Sequence, residues 1–178
     1  MSNKGPFGLW MGMTLEEVGT SLEQVAPGKY ITATVPRPHS AFENYVLQIA
    51  PRCGLSWIKA IGKTIPTSVF GLELRSAFDA METKLDASYG RHSRTDVLLP
   101  GSIWNEPGDW MQSFLQRERV LMSQWAPEHK SALKDSIMSV GLILCVADST
   151  SGYICIEYSF ENGGASDAEL AKLEDDVL

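Results

Sequence analysis

The triplet Gly62-Lys63-Thr64 is the first string that invites chemistry, because a glycine loop ending in Lys-Thr can wrap a phosphate. Such a loop needs another glycine five residues before the Gly-Lys pair, and Trp57 stands there. Nucleotide binding is therefore not expected. His39, His92 and His129 fall in three separate polar stretches, without the closely paired ligands of a zinc site, and read as solvated loop residues. Cys145 and Cys155 sit inside apolar runs as small hydrophobes, which leaves Cys53 as the thiol expected at the surface. Glu106 and Asp109 invite a hydrolase reading, which needs one carboxyl with a raised pKa and one kept ionised. Their simpler use is at a helix N-terminus, where negative charge is favourable. Gly101-Ser102 lacks the flanks of a nucleophile elbow. Arg91-His92-Ser93-Arg94 is too small a basic cluster for a nucleic-acid footprint on an acidic chain. No metal, no cofactor and no catalytic residue is expected.

Binding chemistry is better represented. The chain has 5 tryptophans, and Trp and Tyr are favoured as interface anchors. Trp110 and Trp125 recur at helical core spacing, and Trp57 shares a strand face with Leu55 and Ile61. Trp10 and Trp104 lie in irregular segments beside Gly and Pro, and are the candidate exposed anchors. Glu106, Asp109 and Glu157 are the acidic residues expected to accompany them in contacting a partner.

The elements that must position these residues follow from periodicity. The apolar run from Ile137 to Phe160, broken at Asp148-Ser149-Thr150-Ser151-Gly152, predicts a β-hairpin. Val140, Leu142, Leu144, Val146, Ile154, Ile156, Tyr158 and Phe160 share its core face. The other face, with Cys145, Cys155, Glu157 and Ser159, is half wet and a natural docking surface. Thr14 with Glu17 forms a capping box, and Met13 with Val18 a hydrophobic staple, so a helix is predicted from Leu15 through Val25 until Pro27-Gly28 stops it. Strands follow at Tyr30–Val35, Tyr45–Ala50 and Leu55–Ile61. Phe70, Leu74, Phe78, Met81, Leu85 and Tyr89 form one helical stripe ending at Gly90. Residues 91–99 read as a polar loop. A second long helix is predicted from Asn105, lined by Trp110, Phe114, Leu121 and Trp125 and closed by Pro127. A further capping box, Ser166 with Glu169, opens an acidic tail helix with Leu170 and Leu173 inward.

These elements predict one α+β domain over 1–178: a five-stranded antiparallel sheet covered on one face by two long helices, with short N- and C-terminal helices. The 178 residues are enough for a sizeable core. A net charge of −7 argues against non-specific nucleic-acid binding and suits a basic protein partner. Three cysteines without regular spacing fit a reducing compartment. The N-terminus has no signal-peptide pattern and no run is long enough for a membrane helix, so the cytoplasm is expected.

The string Gly-Met-Thr-Leu-Glu-Glu-Val at 12–18 resembles the helix-opening motif of small outer-membrane assembly lipoproteins of the SmpA type. Without a lipoprotein signal here, that resemblance implies a shared cap and carries no function. In size, charge and lack of a catalytic motif the whole chain resembles the small acidic immunity proteins of bacterial toxin systems. That resemblance implies a non-enzymatic module whose partner is a bacterial effector toxin, with no residue transferred. The alternatives are a phage-encoded inhibitor of a host defence complex, and a hydrolase built around Glu106, Asp109 and His92.

Overall fold

The computed structural model describes residues 5–19 and 21–178. It is α+β, but its sheet corrects the expectation of five strands: among the described residues nine are present, antiparallel. In chain order they are β1 (Glu23–Ala26), β2 (Lys29–Thr32), β3 (Phe42–Ala50), β4 (Gly54–Gly62), β5 (Ile65–Pro66), β6 (Ser93–Leu98), β7 (Arg119–Trp125), β8 (Ile137–Asp148) and β9 (Ser151–Phe160). Their order in the sheet is β1-β2-β3-β4-β9-β8-β7-β6, with β5 pairing β9 off that path. Among the described residues four α-helices accompany them: α1 (Leu15–Val18), α2 (Leu72–Tyr89), α3 (Trp110–Leu115) and α4 (Gly163–Asp175). Of the two long covering helices expected, only α2 exists. Among the described residues no helix is long and apolar enough to cross a membrane. The chain clusters into two compact units. The first is Met1–Ile61, Leu133–Val140 and Glu157–Leu178; the second is Gly62–Ala132 and Gly141–Ile156.

In the first unit, Thr14 and Glu17 form the expected capping box. The Glu17 N–H donates to Thr14 Oγ1 at 3.2 Å, and the Thr14 N–H donates to Glu17 Oε2 at 2.8 Å. The helix it opens lasts a single turn. Residue 20 of the expected helix lies outside the described residues, and its later part, Glu23–Ala26, is β1, because Pro27-Gly28 works as a hairpin turn rather than a helix stop. Ala26 pairs with Lys29 across that turn, and Gly28 has φ +69°, as a Pro-Gly turn requires. Replacing Thr14 by alanine should cost about 1 kcal/mol of stability in chemical denaturation, the usual worth of such a cap. A loss near zero would show that the short helix is held by its neighbours alone. The core of this unit gathers around Phe7, whose ring meets Phe42, Tyr45 and Tyr158 edge-on at 4.9–5.9 Å between centroids. Leu9, Met13, Leu47 and Leu55 are buried as well.

In the second unit, α2 buries the expected stripe: Leu74, Phe78, Met81, Leu85 and Tyr89. Phe70, read as the first member of that stripe, lies before the helix and is exposed. Gly71 precedes it at φ +66°, and an added Cβ there would lie 2.3 Å from the Trp110 ring, so α3 packs where only glycine leaves room.

The predicted helix from Asn105 to Pro127 is corrected: α3 ends at Leu115, Arg117 takes φ +58°, and Arg119–Trp125 is β7. Leu121, Ser123 and Trp125 are buried at period two, against a helical reading that joined Leu121 and Trp125 to Trp110 and Phe114. The predicted loop at 91–99 is largely β6, paired residue by residue with β7 from Ser93↔Gln124 to Leu98↔Arg119. Cys155, assigned to the half-wet face of the hairpin, is fully buried, so that face is not open there. Its core face is as expected, apart from Val146, which is half-buried. Cys53, Cys145 and Cys155 are free of disulfides.

Candidate binding groove

Helix α4 is fixed to the first unit by polar side chains at three places. Gln48 of β3 donates from Nε2 to Asp167 Oδ1 at 2.8 Å and reaches Ser56 and Ser166 Oγ at 3.2 and 3.3 Å. Ser56 and Ser166 are buried and bonded to each other at 2.9 Å, so this interior cluster satisfies itself. Asn162 Nδ2 donates to the Cys53 and Leu55 carbonyls at 3.0 and 3.1 Å. Glu169 accepts from the backbone N–H of Arg52 at 2.6 Å and of Cys53 at 2.9 Å. The Ser166–Glu169 capping box is thereby corrected: the helix starts at Gly163, four residues before the start such a cap implies, and both side chains reach across to the β3–β4 hairpin instead of capping.

Burial alone would raise the Glu169 pKa, but the bonds from Cys53 and Arg52 outweigh it, and the carboxyl is held below its ordinary value. The same carboxylate, accepting from the Cys53 thiol, pushes that thiol up and away from the reactive thiolate. A carboxyl depressed in the folded state contributes stability above its unfolded pKa, about 4.3 for glutamate, and loses it as pH falls through the folded value. The unfolding midpoint should therefore drop more steeply in acid for the parent than for Glu169→Gln. Superimposable pH profiles would rule out the clasp.

The clasp sets α4 beside a groove. Gly28, at φ +69°, leaves room for Leu170, whose Cδ2 would lie 2.6 Å from an added Cβ. One pocket of about 520 Å³ is lined by Leu15, Glu16, Tyr30, Ile49 and Pro51 among others. A second of about 390 Å³ shares Tyr30, Ile49 and Pro51 and continues to Leu170, Leu173, Glu174 and Val177 of the α4 end. Both volumes fall in the range of ligand and peptide sites. The walls are apolar, and Leu173, expected to point inward, is 47% exposed. Glu16 and Glu174 stand at the rim; among the described lining residues no Lys or Arg occurs.

The residues singled out from sequence lie elsewhere. Trp10, in the first unit, is 38% exposed, and its backbone N–H approaches Met13 Sδ at 3.4 Å. Glu157, also in the first unit, is half-buried and pairs with Lys59 at 3.4 Å. Trp104, Glu106 and Asp109 belong to the second unit. Trp104 is half-buried, its backbone N–H donating to Ser102 Oγ at 3.2 Å. Glu106 and Asp109 do come together, as the expected helix-opening pair: the Glu106 N–H donates to Asp109 Oδ2 at 3.2 Å, and the Asp109 N–H to the Glu106 carbonyl at 2.9 Å. Trp57 is half-buried rather than core, and Lys29 sits 4.0 Å over its ring. Burial lowers the Lys29 pKa, against the opposing pull of Asp167 and Glu157. None of the five residues singled out lines the groove. Its signal was Tyr30, a large amphipathic side chain on a short strand next to Pro27-Gly28, which reads as plain strand without the neighbouring helix.

His92, read as a solvated loop residue, is instead held between two carboxylates of α2, with Nδ1 2.6 Å from Asp86 Oδ1 and Nε2 3.4 Å from Glu82 Oε2. Ser123 is fully buried and donates to Glu82. The histidine's ring partners are thus acids, and the serine's partner is an acid too, an arrangement that ties α2 to β6 and β7. No family model matches the chain, and no curated protein or solved structure is significantly similar to it.

Proposed function

We propose that the protein is a non-enzymatic binding module whose groove takes a segment of a partner protein, apolar at its centre and basic at its flanks. The observation that carries this reading is the pair of confluent apolar pockets around Tyr30, Ile49 and Pro51, rimmed by Glu16 and Glu174. An apolar residue inserted there gains burial energy, and basic flanks gain from the acidic rim and from the chain's net charge of −7. The acidic end of α4, with Glu174, Asp175 and Asp176, extends the same field. A cytoplasmic immunity role, in which the bound protein is a bacterial effector toxin, agrees with this chemistry, since blocking a basic active site calls for an acidic face.

The test is capture of the partner from the native host with the parent chain and with Leu173→Arg, followed by kinetics on the purified pair. Leu173 is exposed, so the arginine leaves the fold intact while placing positive charge against basic flanks. Binding should weaken at least about tenfold. The parent association rate should fall as salt rises. A partner that binds both chains equally, or at a salt-independent rate, would overturn the groove. Co-expression should relieve toxicity of the captured protein if the immunity reading is right.

A further inference from the structure

A half-buried arginine in a chain with 22 acidic residues ordinarily faces a carboxylate. Arg75 of α2 makes no ion pair with one among the described residues, although Asp96 and Asp79 are near enough to act on it. Its Nε is buried and no described residue accepts a hydrogen bond from it. Its guanidinium instead lies 4.0 Å over the face of Trp110. Burial first, and then the nearby charge of Arg119, lower the Arg75 pKa, with Asp96 and Asp79 opposing. Arg119 donates from Nε to Ser113 Oγ at 2.9 Å and keeps only a loose pair with Asp96 at 3.7 Å. The two arginines line one pocket of about 300 Å³, the small end of ligand sites. Its remaining walls include Phe70, Leu72, Pro107 and Trp110. Phe70 and Leu72 are exposed there, although apolar. Glu106 also lines it, but no ion pair joins its carboxylate to either arginine.

Two guanidiniums on one pocket, with only Asp96 loosely near both, beside uncovered apolar side chains, describe the complement of a molecule with one anionic end and one apolar end. An arginine fork matches the planar geometry of a carboxylate. The ring of Trp110 already holds one fork in place, so little freedom is lost when the anion arrives. We propose that this pocket binds a small carboxylic acid with an aromatic or branched aliphatic body, the carboxylate on Arg75 and Arg119 and the body against Phe70 and Leu72. The site lies wholly within the second unit and is independent of the groove and of its function.

Calorimetric titration of the full chain with phenylacetate, phenylethanol and inorganic phosphate tests it. Phenylacetate should bind one to one, with a dissociation constant around the millimolar range, as its few heavy atoms allow. Phenylethanol, which has the same body without the charge, and phosphate, which has charge without the body, should both bind at least about tenfold more weakly. Arg75→Leu should weaken phenylacetate by about tenfold or more, and Arg75→Lys, which keeps charge but loses the fork, by an intermediate factor. If the leucine variant does not fold, the lysine variant carries the test. The proposal is overturned if phenylacetate fails to bind, if either control binds as well, or if the folded variants bind phenylacetate as the parent does.

Discussion

Replacing Trp125 by alanine should lower stability by about 3–5 kcal/mol, the range for a fully buried aromatic. Trp125 is 0% exposed at the end of β7. Its ring packs beside His92 at 5.2 Å between centroids, and its Nε1 donates to the Gly90 carbonyl at 3.1 Å and to Asp86 Oδ1 at 3.2 Å. One side chain thus joins the strand to the C-terminal end of α2. Trp125→Phe separates the two contributions: most of the ring volume stays, while the donor is lost, at a cost of about 1–2 kcal/mol. Urea denaturation with an unchanged slope is the measurement. An alanine variant within about 1 kcal/mol of the parent would mean that the strand end is not packed as described.

The same tryptophan marks where sequence reading and structure part. Trp110, Met111, Phe114, Leu121, Met122 and Trp125 satisfy helical spacing if the chain is taken as continuous. They satisfy it less well once Arg117 turns the backbone to φ +58°. Period two and period 3.6 coincide at enough positions over a dozen residues that one turn decides between them. β6 carried no local signal at all, since Ser93-Arg94-Thr95-Asp96 is polar on both faces. Its conformation comes from the ladder to β7 and from Arg94, which reaches Asp79 and Glu82 on α2 at 2.8 and 3.1 Å. By contrast α2, the hairpin of β8 and β9, and the cap at Thr14 were legible, because each rests on contacts between residues close in sequence.

Binding surfaces were less legible still. Trp10 and Trp104 were singled out by residue type, whereas the groove arises from Tyr30 and Ile49 on neighbouring strands and Leu173 more than 120 positions later. The helix that brings Leu173 there is positioned by Gln48, Asn162 and Glu169, whose partners are distant in sequence. A capping-box pattern at Ser166 and Glu169 gives those side chains a local use, but Ser166 instead joins the buried cluster with Gln48 and Ser56, and Glu169 takes the Arg52 and Cys53 N–H groups of the hairpin turn.

Glu82→Ala should be the most disruptive single change on the polar face of α2, costing about 2–3 kcal/mol. Its carboxylate accepts from Arg94 Nη1 at 3.1 and 3.2 Å and from buried Ser123, and it lies 3.4 Å from His92 Nε2. Removing it strands a buried hydroxyl and takes one of two acids from Arg94. The cost stays below the 3–5 kcal/mol of a fully buried broken pair, because the Arg94 side chain is 33% exposed and keeps Asp79. Glu82→Gln retains an acceptor for Ser123 and should recover about half of the loss. A double-mutant cycle with Arg94→Met isolates the ion pair: the combined variant should be less destabilised than the sum of the single ones, by about 1 kcal/mol. Additive losses would mean that Arg94 relies on Asp79 alone. A Glu82→Ala variant as stable as its parent would remove the carboxylate as the link between α2 and the β6–β7 ladder.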